Sequence, residues 1–165
     1  MTGRADFTDE EWTRLKRAPF IAGMAISLSD PGGPIELVKE TAATLKTVAG
    51  AAESGQRGEL VGALASEVAA EAKARKNPLA DFKPRGALAG QEILEEITAV
   101  NGIVSAKASP EDAEAYRAWL NDAAREAANA AKEGGFLGFH AVRVSEGEQR
   151  MLDKLAEALA PPAAP

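Results

Sequence analysis

Apolar residues recur along most of this chain at the spacing of one helix face, and no segment alternates apolar and polar residues as a strand would. The clearest set, at i, i+4, i+7 and i+11, is Ile93, Ile97, Val100 and Val104. Side chains at this spacing lie on one side of an α-helix. Alanine fills about a fifth of the positions and favours helix, because it loses no side-chain entropy there. The sequence therefore predicts an all-α fold, a single bundle of about five to seven helices.

Residues that begin helices stand before three of the apolar stripes. The sequences TDEE at residues 8–11 and SEGE at residues 145–148 have the capping-box pattern. In this pattern a hydroxyl accepts from the backbone amide three residues later, and the acidic side chain there binds the amide of the first residue. Ser109 precedes Pro110, whose missing amide hydrogen costs nothing at the first position of a helix. Each signal predicts the start of a helix.

Proline and glycine indicate where the helices break. Pro19 interrupts the first apolar stripe, which predicts one kinked helix, or two short helices that meet near Pro19, ending by Ser29. The second and third helices are expected at residues 34–53 and 59–76. The fourth is expected to continue through Gly102 at a cost of about 1 kcal/mol relative to alanine. Breakers rich in proline and glycine lie at residues 30–34, 54–58 and 77–86.

The length of 165 residues suits one domain, since a chain of this size buries roughly 70% of its unfolded surface. We expect an N-terminal arm at residues 1–7, a helical bundle domain at residues 8–160 and a flexible tail at residues 161–165. Each half of the chain alone is too rich in alanine for an independent core, so a single bundle is expected.

Charge and composition exclude several classes of partner. The formal net charge is −6, and an acidic protein repels phosphate backbones, so no nucleic-acid partner is expected. The chain has no cysteine, which excludes disulfides and thiolate metal sites and favours a cytoplasmic location. The longest uncharged apolar run, residues 19–29, is shorter than the ~18–20 residues that a membrane span needs. The amino terminus lacks the apolar region of a signal peptide.

Few residues are suited to catalysis or metal binding. A di-iron bundle needs two Glu-x-x-His motifs, whereas His140 is the only histidine. No G-x-S-x-G nucleophile motif occurs. Glu92, Glu95 and Glu96 could offer carboxylates, but such clusters are usually solvated, and we expect a solvated helix face here. The sequence thus predicts no catalytic residue, no metal and no cofactor, and an enzyme is the less favoured class.

Some polar residues fall beside apolar stripes. Asn101 lies next to the stripe of the fourth helix, either as a buried polar residue or, as we expect, at the boundary between core and solvent. Ser27 and Ser29 are expected to bond back to a carbonyl one turn away.

The stretch EGGFLGFHAVRVSEGE, residues 133–148, contains the candidate contact residues, which are Phe136, Leu137, Phe139 and His140. We expect Gly134 to end the fifth helix in a left-handed conformation. The apolar side chains then either close one end of the bundle, which is the favoured interpretation, or form a mobile loop that contacts a partner or lines a ligand pocket. His140 is expected to bond a backbone carbonyl rather than to act as a catalyst.

The stretch YRAWLNDAAREAANAAKEGGFLGFHAVRVSEGE, residues 116–148, resembles a recurrent C-terminal segment of small bacterial all-helical proteins. FIAGMAISLSDPGG, residues 20–33, is similar to the matching N-terminal segment, so the resemblance covers most of the chain. EGGFLGF is its most recognisable part, and the chain departs from it at His140, where a small residue such as glycine is expected. The resemblance implies a helical fold and no established activity.

Three functions remain, and the least favoured is an enzyme that uses scattered acidic residues, which no motif supports. The favoured one is a non-enzymatic cytoplasmic helical bundle that acts through protein contacts, including self-association into a homo-oligomer. The alternative is a protein that binds a small apolar ligand in a pocket between helices near Phe136 and Phe139.

Overall fold

The computed structural model describes residues 2–29, 44–51, 57–79, 81–133 and 144–162. Within these ranges the chain forms six helices and no β-strand: α1 (Asp9–Ser29), α2 (residues 44–51), α3 (Gly58–Lys73), α4 (Ala89–Lys107), α5 (Pro110–Glu133) and α6 (Glu146–Ala158). Short 3₁₀ turns at Arg4–Asp6 and Gly86–Leu88 precede α1 and α4. The helices pack as one bundle, so the predicted all-α fold is confirmed.

The three helix starts predicted from capping residues are confirmed, whereas the start expected for the second helix at residue 34 lies outside the described residues. The Thr8 hydroxyl accepts from the amide of Glu11 at 3.2 Å, and the Thr8 amide donates to the Glu11 carboxylate at 2.8 Å. Ser145 and Glu148 form the same pair of bonds at 3.2 and 2.7 Å. The Ser109 hydroxyl accepts from the amide three residues later at 3.2 Å. Local capping chemistry therefore sets where α1, α5 and α6 begin.

The structure has one helix where the sequence left a choice between one and two, since α1 passes through Pro19 as a 21-residue helix. A proline removes the amide hydrogen that would bond the carbonyl four residues earlier, which here belongs to Leu15. The Tyr116 hydroxyl of α5 donates to that carbonyl at 3.0 Å, and both residues are fully buried. Burial raises the pKa of Tyr116 well above its ordinary value, so the phenol keeps its proton. Tyr116 therefore supplies the donor that Pro19 lacks.

Helix α1 is the centre of the bundle and contacts α3, α4, α5 and α6, with α5 most extensively. Both α1 and α5 bury alanines, and such small side chains allow helix axes to approach closely. The largest fully buried side chains include Leu15, Ile21 and Ile26 of α1 and Tyr116, Trp119 and Leu120 of α5. All four residues of the stripe expected in α4 are fully buried as well.

Asn101 corrects one expectation, because it is 7% exposed and belongs to the core rather than to the boundary. Its side-chain amide donates to the carbonyls of Ala158 and Ala160 at 3.0 and 2.8 Å, and its oxygen accepts from Arg117 at 2.8 Å. The last carbonyls of a helix have no partner within it. Asn101 therefore fixes the C-terminal end of α6 against α4 and α5.

Helix α4 continues through Gly102 as predicted. Ser27 and Ser29 bond back to the carbonyls of Gly23 and Ile26 at 3.5 and 2.7 Å, also as predicted. At Gly23 a Cβ atom would lie 2.7 Å from the hydroxyl oxygen of Thr44. An alanine at this position would therefore force Thr44 at the start of the described part of α2 to shift.

Candidate ligand-binding cleft

Two adjoining pockets lie between α1, α3 and the segment that follows α3, and together we call them the α1–α3 cleft. The apolar pocket has a volume of about 190 Å³ and is lined by Phe20, Leu45, Val68, Glu71, Ala72, Arg75, Lys76 and Pro78. The polar pocket, of about 180 Å³, is lined by Thr13, Lys16, Arg17, Val68, Glu71, Lys76, Asn77, Pro78 and Asp81. Val68, Glu71, Lys76 and Pro78 line both.

Helical spacing explains the two walls of the cleft. Four residues of α1 at i, i+3, i+4 and i+7 share one helix face and line it, namely Thr13, Lys16, Arg17 and Phe20. The opposite wall repeats this spacing with Val68, Glu71, Ala72 and Arg75. Leu45 of α2 lines the apolar pocket only. It directly follows Thr44, the residue packed against Gly23.

An ionic network joins the two walls. The Lys16 ammonium lies 2.8 Å from a carboxylate oxygen of Glu67 and 2.7 Å from one of Glu71. The Trp12 indole donates to the other oxygen of Glu67 at 2.6 Å. Burial lowers the pKa of Lys16, but the hydrogen bonds to both glutamates outweigh it, and the pKa is raised overall. Lys16 therefore stays a paired cation at neutral pH and is unsuited to act as a base or nucleophile.

Glu96 corrects the expected solvated face of α4. Its side chain is 12% exposed and accepts from Arg14 at 2.7 Å and from Arg17 at 3.0 Å, while Glu95 is exposed. Burial raises the pKa of Glu96, but the bonds from the two arginines prevail and hold it below its ordinary value. The Arg17 guanidinium also lies 5.5 Å from the ring centroid of Phe82. Its Nε is buried and has no hydrogen-bond partner among the described residues.

Arg75 has a φ of 56°, the only positive value of a non-glycine residue among those described. The Arg75 amide donates to the carbonyl of Ala72 and the Lys76 amide to that of Glu71, each at 3.0 Å. This pair of bonds is a Schellman motif, whose left-handed residue is usually glycine. It explains why α3 ends at Lys73 and not at Lys76 as expected. No glycine stands at residues 74–76, so the sequence carried no signal for it.

The four cations of the cleft differ in their partners. Lys16 and Arg17 form ion pairs with glutamates of α3 and α4. Arg75 and Lys76 are exposed and form no ion pair with any residue that the structure describes. Arg75 and Lys76 are therefore two exposed cations at the apolar pocket that have no ion-pair partner among the described residues.

Two larger depressions are wider and more open than the cleft. One, of about 850 Å³, lies between α4, α5 and the end of α6, and the other, of about 580 Å³, between α4 and α6. In the first, Arg117 donates to Asn101 at 2.8 Å and to Ser105 at 2.7 Å. The polar groups of the first depression thus hold the end of α6. Because both depressions are more open than the α1–α3 cleft, the cleft is the better candidate site.

Phe136, Leu137, Phe139 and His140, the candidates from the sequence, lie outside the described residues, as does Gly134. Their contacts stay a prediction. In the described part of the chain no group of three or more acidic, histidine or cysteine residues could hold a metal ion. No helix in that part is long and apolar enough to cross a membrane.

The fold and cleft define a small all-α bundle with an apolar pocket between its helices. No protein family, curated protein or solved structure compared with the chain matches it. The likeness to small bacterial helical proteins thus stays a prediction beyond the helical fold.

Proposed function

We propose that the protein is a non-enzymatic binding protein that takes a small ligand with an apolar body into the apolar pocket. The observation that carries this proposal is a concave space of about 190 Å³ whose apolar lining comes from α1, α2, α3 and Pro78. An engineered apolar cavity of about 150 Å³ binds benzene. The pocket therefore has room for one aromatic ring or a short alkyl chain.

The groups around the cleft support binding rather than chemistry. Lys16 is held as a cation between two carboxylates. Glu96 is held as an anion by two arginines. The chain has no cysteine, and its single histidine lies outside the described residues. Ion pairing stabilises the charged forms of Lys16 and Glu96 and so makes them poor proton donors or acceptors. Their role in the cleft is therefore to hold its helices in place.

The proposed ligand is of the kind expected from the sequence, a small apolar molecule. The proposed pocket is the α1–α3 cleft, whereas the sequence suggested a pocket near Phe136. We also propose a cytoplasmic location, which the absence of cysteine supports. Self-association through the EGGFLGF stretch stays a separate prediction. Comparing the solution mass of Phe136→Ala with that of the wild type tests it.

A titration with n-hexanol, a neutral six-carbon probe, tests the binding function. We expect saturable changes in the amide NMR signals of Leu45, Val68 and Ala72. Replacing Ala72 by Leu places a larger side chain in the pocket and should weaken binding about tenfold or more, the equivalent of 1.4 kcal/mol. Ala70→Leu is the matched control, because Ala70 is exposed on the same helix and does not line the pocket.

The affinity of Ala70→Leu should equal that of the wild type. Equal affinity in Ala72→Leu, or signal changes confined to another face of the bundle, would show that the apolar pocket is not the binding site.

A further inference from the structure

We infer that the ligand of the apolar pocket carries a carboxylate, which binds Arg75 and Lys76 while the apolar body lies against Phe20 and Val68. This inference rests on the proposed function and adds to it the chemical class of the ligand, a short apolar monocarboxylate. Three observations support it: the backbone of Arg75, the lack of ion-pair partners for the two cations among the described residues, and the ion pairs that Lys16 and Arg17 already form.

The backbone of Arg75 is the first observation. At this position of a Schellman motif glycine is unstrained, whereas an L-residue in the left-handed region is destabilised by a clash between its Cβ and the backbone. Strain of this kind persists only where the rest of the structure imposes it, and it concentrates at binding sites. Arg75 lines the apolar pocket. A contact between the Arg75 side chain and a ligand in the apolar pocket therefore explains why arginine, and not glycine, occupies this position.

The charges around the pocket are the second observation. Arg75 and Lys76 have no ion-pair partner among the described residues, although the chain has an excess of acidic over basic side chains. Apolar walls such as Phe20 and Pro78 exclude water and strengthen the field of nearby charges. A planar guanidinium also offers two parallel donors to a carboxylate. The solvent side of the pocket is thus suited to an anion.

The polar pocket is a poorer place for the carboxylate. Lys16 there already binds Glu67 and Glu71, and Arg17 binds Glu96. A ligand anion would have to displace these glutamates or lie beside them. Lys76 lines both pockets, so a carboxylate bound to Arg75 and Lys76 can lie between them without breaking the network.

The experiment compares hexanoate with hexanamide, a neutral molecule of nearly the same shape, by NMR or calorimetric titration of the full chain at pH 7. We expect hexanoate to bind about tenfold or more tightly at low ionic strength, and the difference to shrink in 1 M salt, where the Debye length is about 3 Å. Arg75→Gly and Lys76→Gln should each weaken hexanoate binding much more than hexanamide binding. Lys73→Gln is the matched control, since Lys73 ends α3 outside both pockets.

Thermal unfolding separates a ligand contact from a structural role of Arg75. Arg75→Gly relieves the left-handed strain, so its melting temperature should rise by roughly 2–4 °C while hexanoate binding falls. A lower melting temperature together with weaker binding of both probes would overturn the inference and make Arg75 structural. Equal affinity for hexanoate and hexanamide would overturn it while the proposed function stands. Failure of both probes to bind the wild type would refute the proposed function itself.

Discussion

The hydrogen bond from Tyr116 to the carbonyl of Leu15 leads to a prediction that also involves Pro19. The sequence positions of these three residues do not show that they are connected. Tyr116→Phe removes only the hydroxyl that donates at 3.0 Å. When Pro19 is present, the Leu15 carbonyl is then left without any donor, because proline has no amide hydrogen. Leu15 and Tyr116 are both 0% exposed, so water cannot replace the lost donor. A buried polar group left without a partner costs about 1–3 kcal/mol. For a chain of this length that corresponds to a fall in melting temperature of roughly 2–12 °C.

The Pro19→Ala background changes this expectation. Alanine restores an amide hydrogen at residue 19, which can donate to the Leu15 carbonyl as in any regular helix. Tyr116→Phe should then cost about 0–1 kcal/mol, because the carbonyl keeps a partner. The double-mutant cycle therefore predicts a coupling energy of about 1–2 kcal/mol between residues 19 and 116.

Urea unfolding of the wild type, both single variants and the double variant measures this coupling, and thermal melts check that the order of stabilities is the same. Thr98→Ala is a control for the loss of a hydroxyl that bonds a helical carbonyl, since Thr98 is exposed and donates to Leu94 at 2.8 Å. It should stay within about 0.5 kcal/mol of the wild type. An equal cost of Tyr116→Phe in the two backgrounds would refute the reasoning that Tyr116 replaces the donor that Pro19 lacks.

Three further predictions follow from the packing. Asn101→Ala should lower the free energy of unfolding in urea by about 2–4 kcal/mol, because it removes three partly buried hydrogen bonds. Gly23→Ala should cost about 1–3 kcal/mol in the same assay, since its Cβ would meet Thr44 at 2.7 Å. The pKa of Glu96 is below its ordinary 4.5, so its stabilisation is present above that pH and lost below it. The melting temperature of Glu96→Gln should thus fall less between pH 5 and pH 3 than that of the wild type. An equal fall would show that Glu96 does not contribute to the acid sensitivity of the fold.

Most helix starts could be predicted from the sequence because their causes are local. A capping box needs only residues within one turn, as at Thr8 and Ser145, and the apolar stripe of α4 follows from its spacing alone. The continuity of α1 through Pro19 could not be decided in this way. Its compensating donor, Tyr116, lies 101 residues from Leu15 in the chain.

Two polar contacts between distant helices were missed for the same reason. Glu96 lies beside Glu95 and Glu92 in the sequence, and nothing nearby shows that Arg14 and Arg17, 82 and 79 residues away, hold it. Asn101 was placed at the boundary because its own helix gives no hint of the carbonyls at and just after the end of α6, 57 and 59 residues away. Polar residues beside an apolar stripe are ambiguous until the packing of distant helices is known.

Pro19 and Arg75 both break local rules of helix formation, and the contrast between them supports the ligand hypothesis. Pro19 inside α1 removes a hydrogen bond, and the fold itself compensates through Tyr116. Arg75 occupies a left-handed position that suits glycine, and its side chain forms no ion pair with any described residue. Local rules are broken mainly where packing or function offsets the cost. Packing offsets it at Pro19. At Arg75 the offset is expected from a molecule bound in the pocket that its side chain lines.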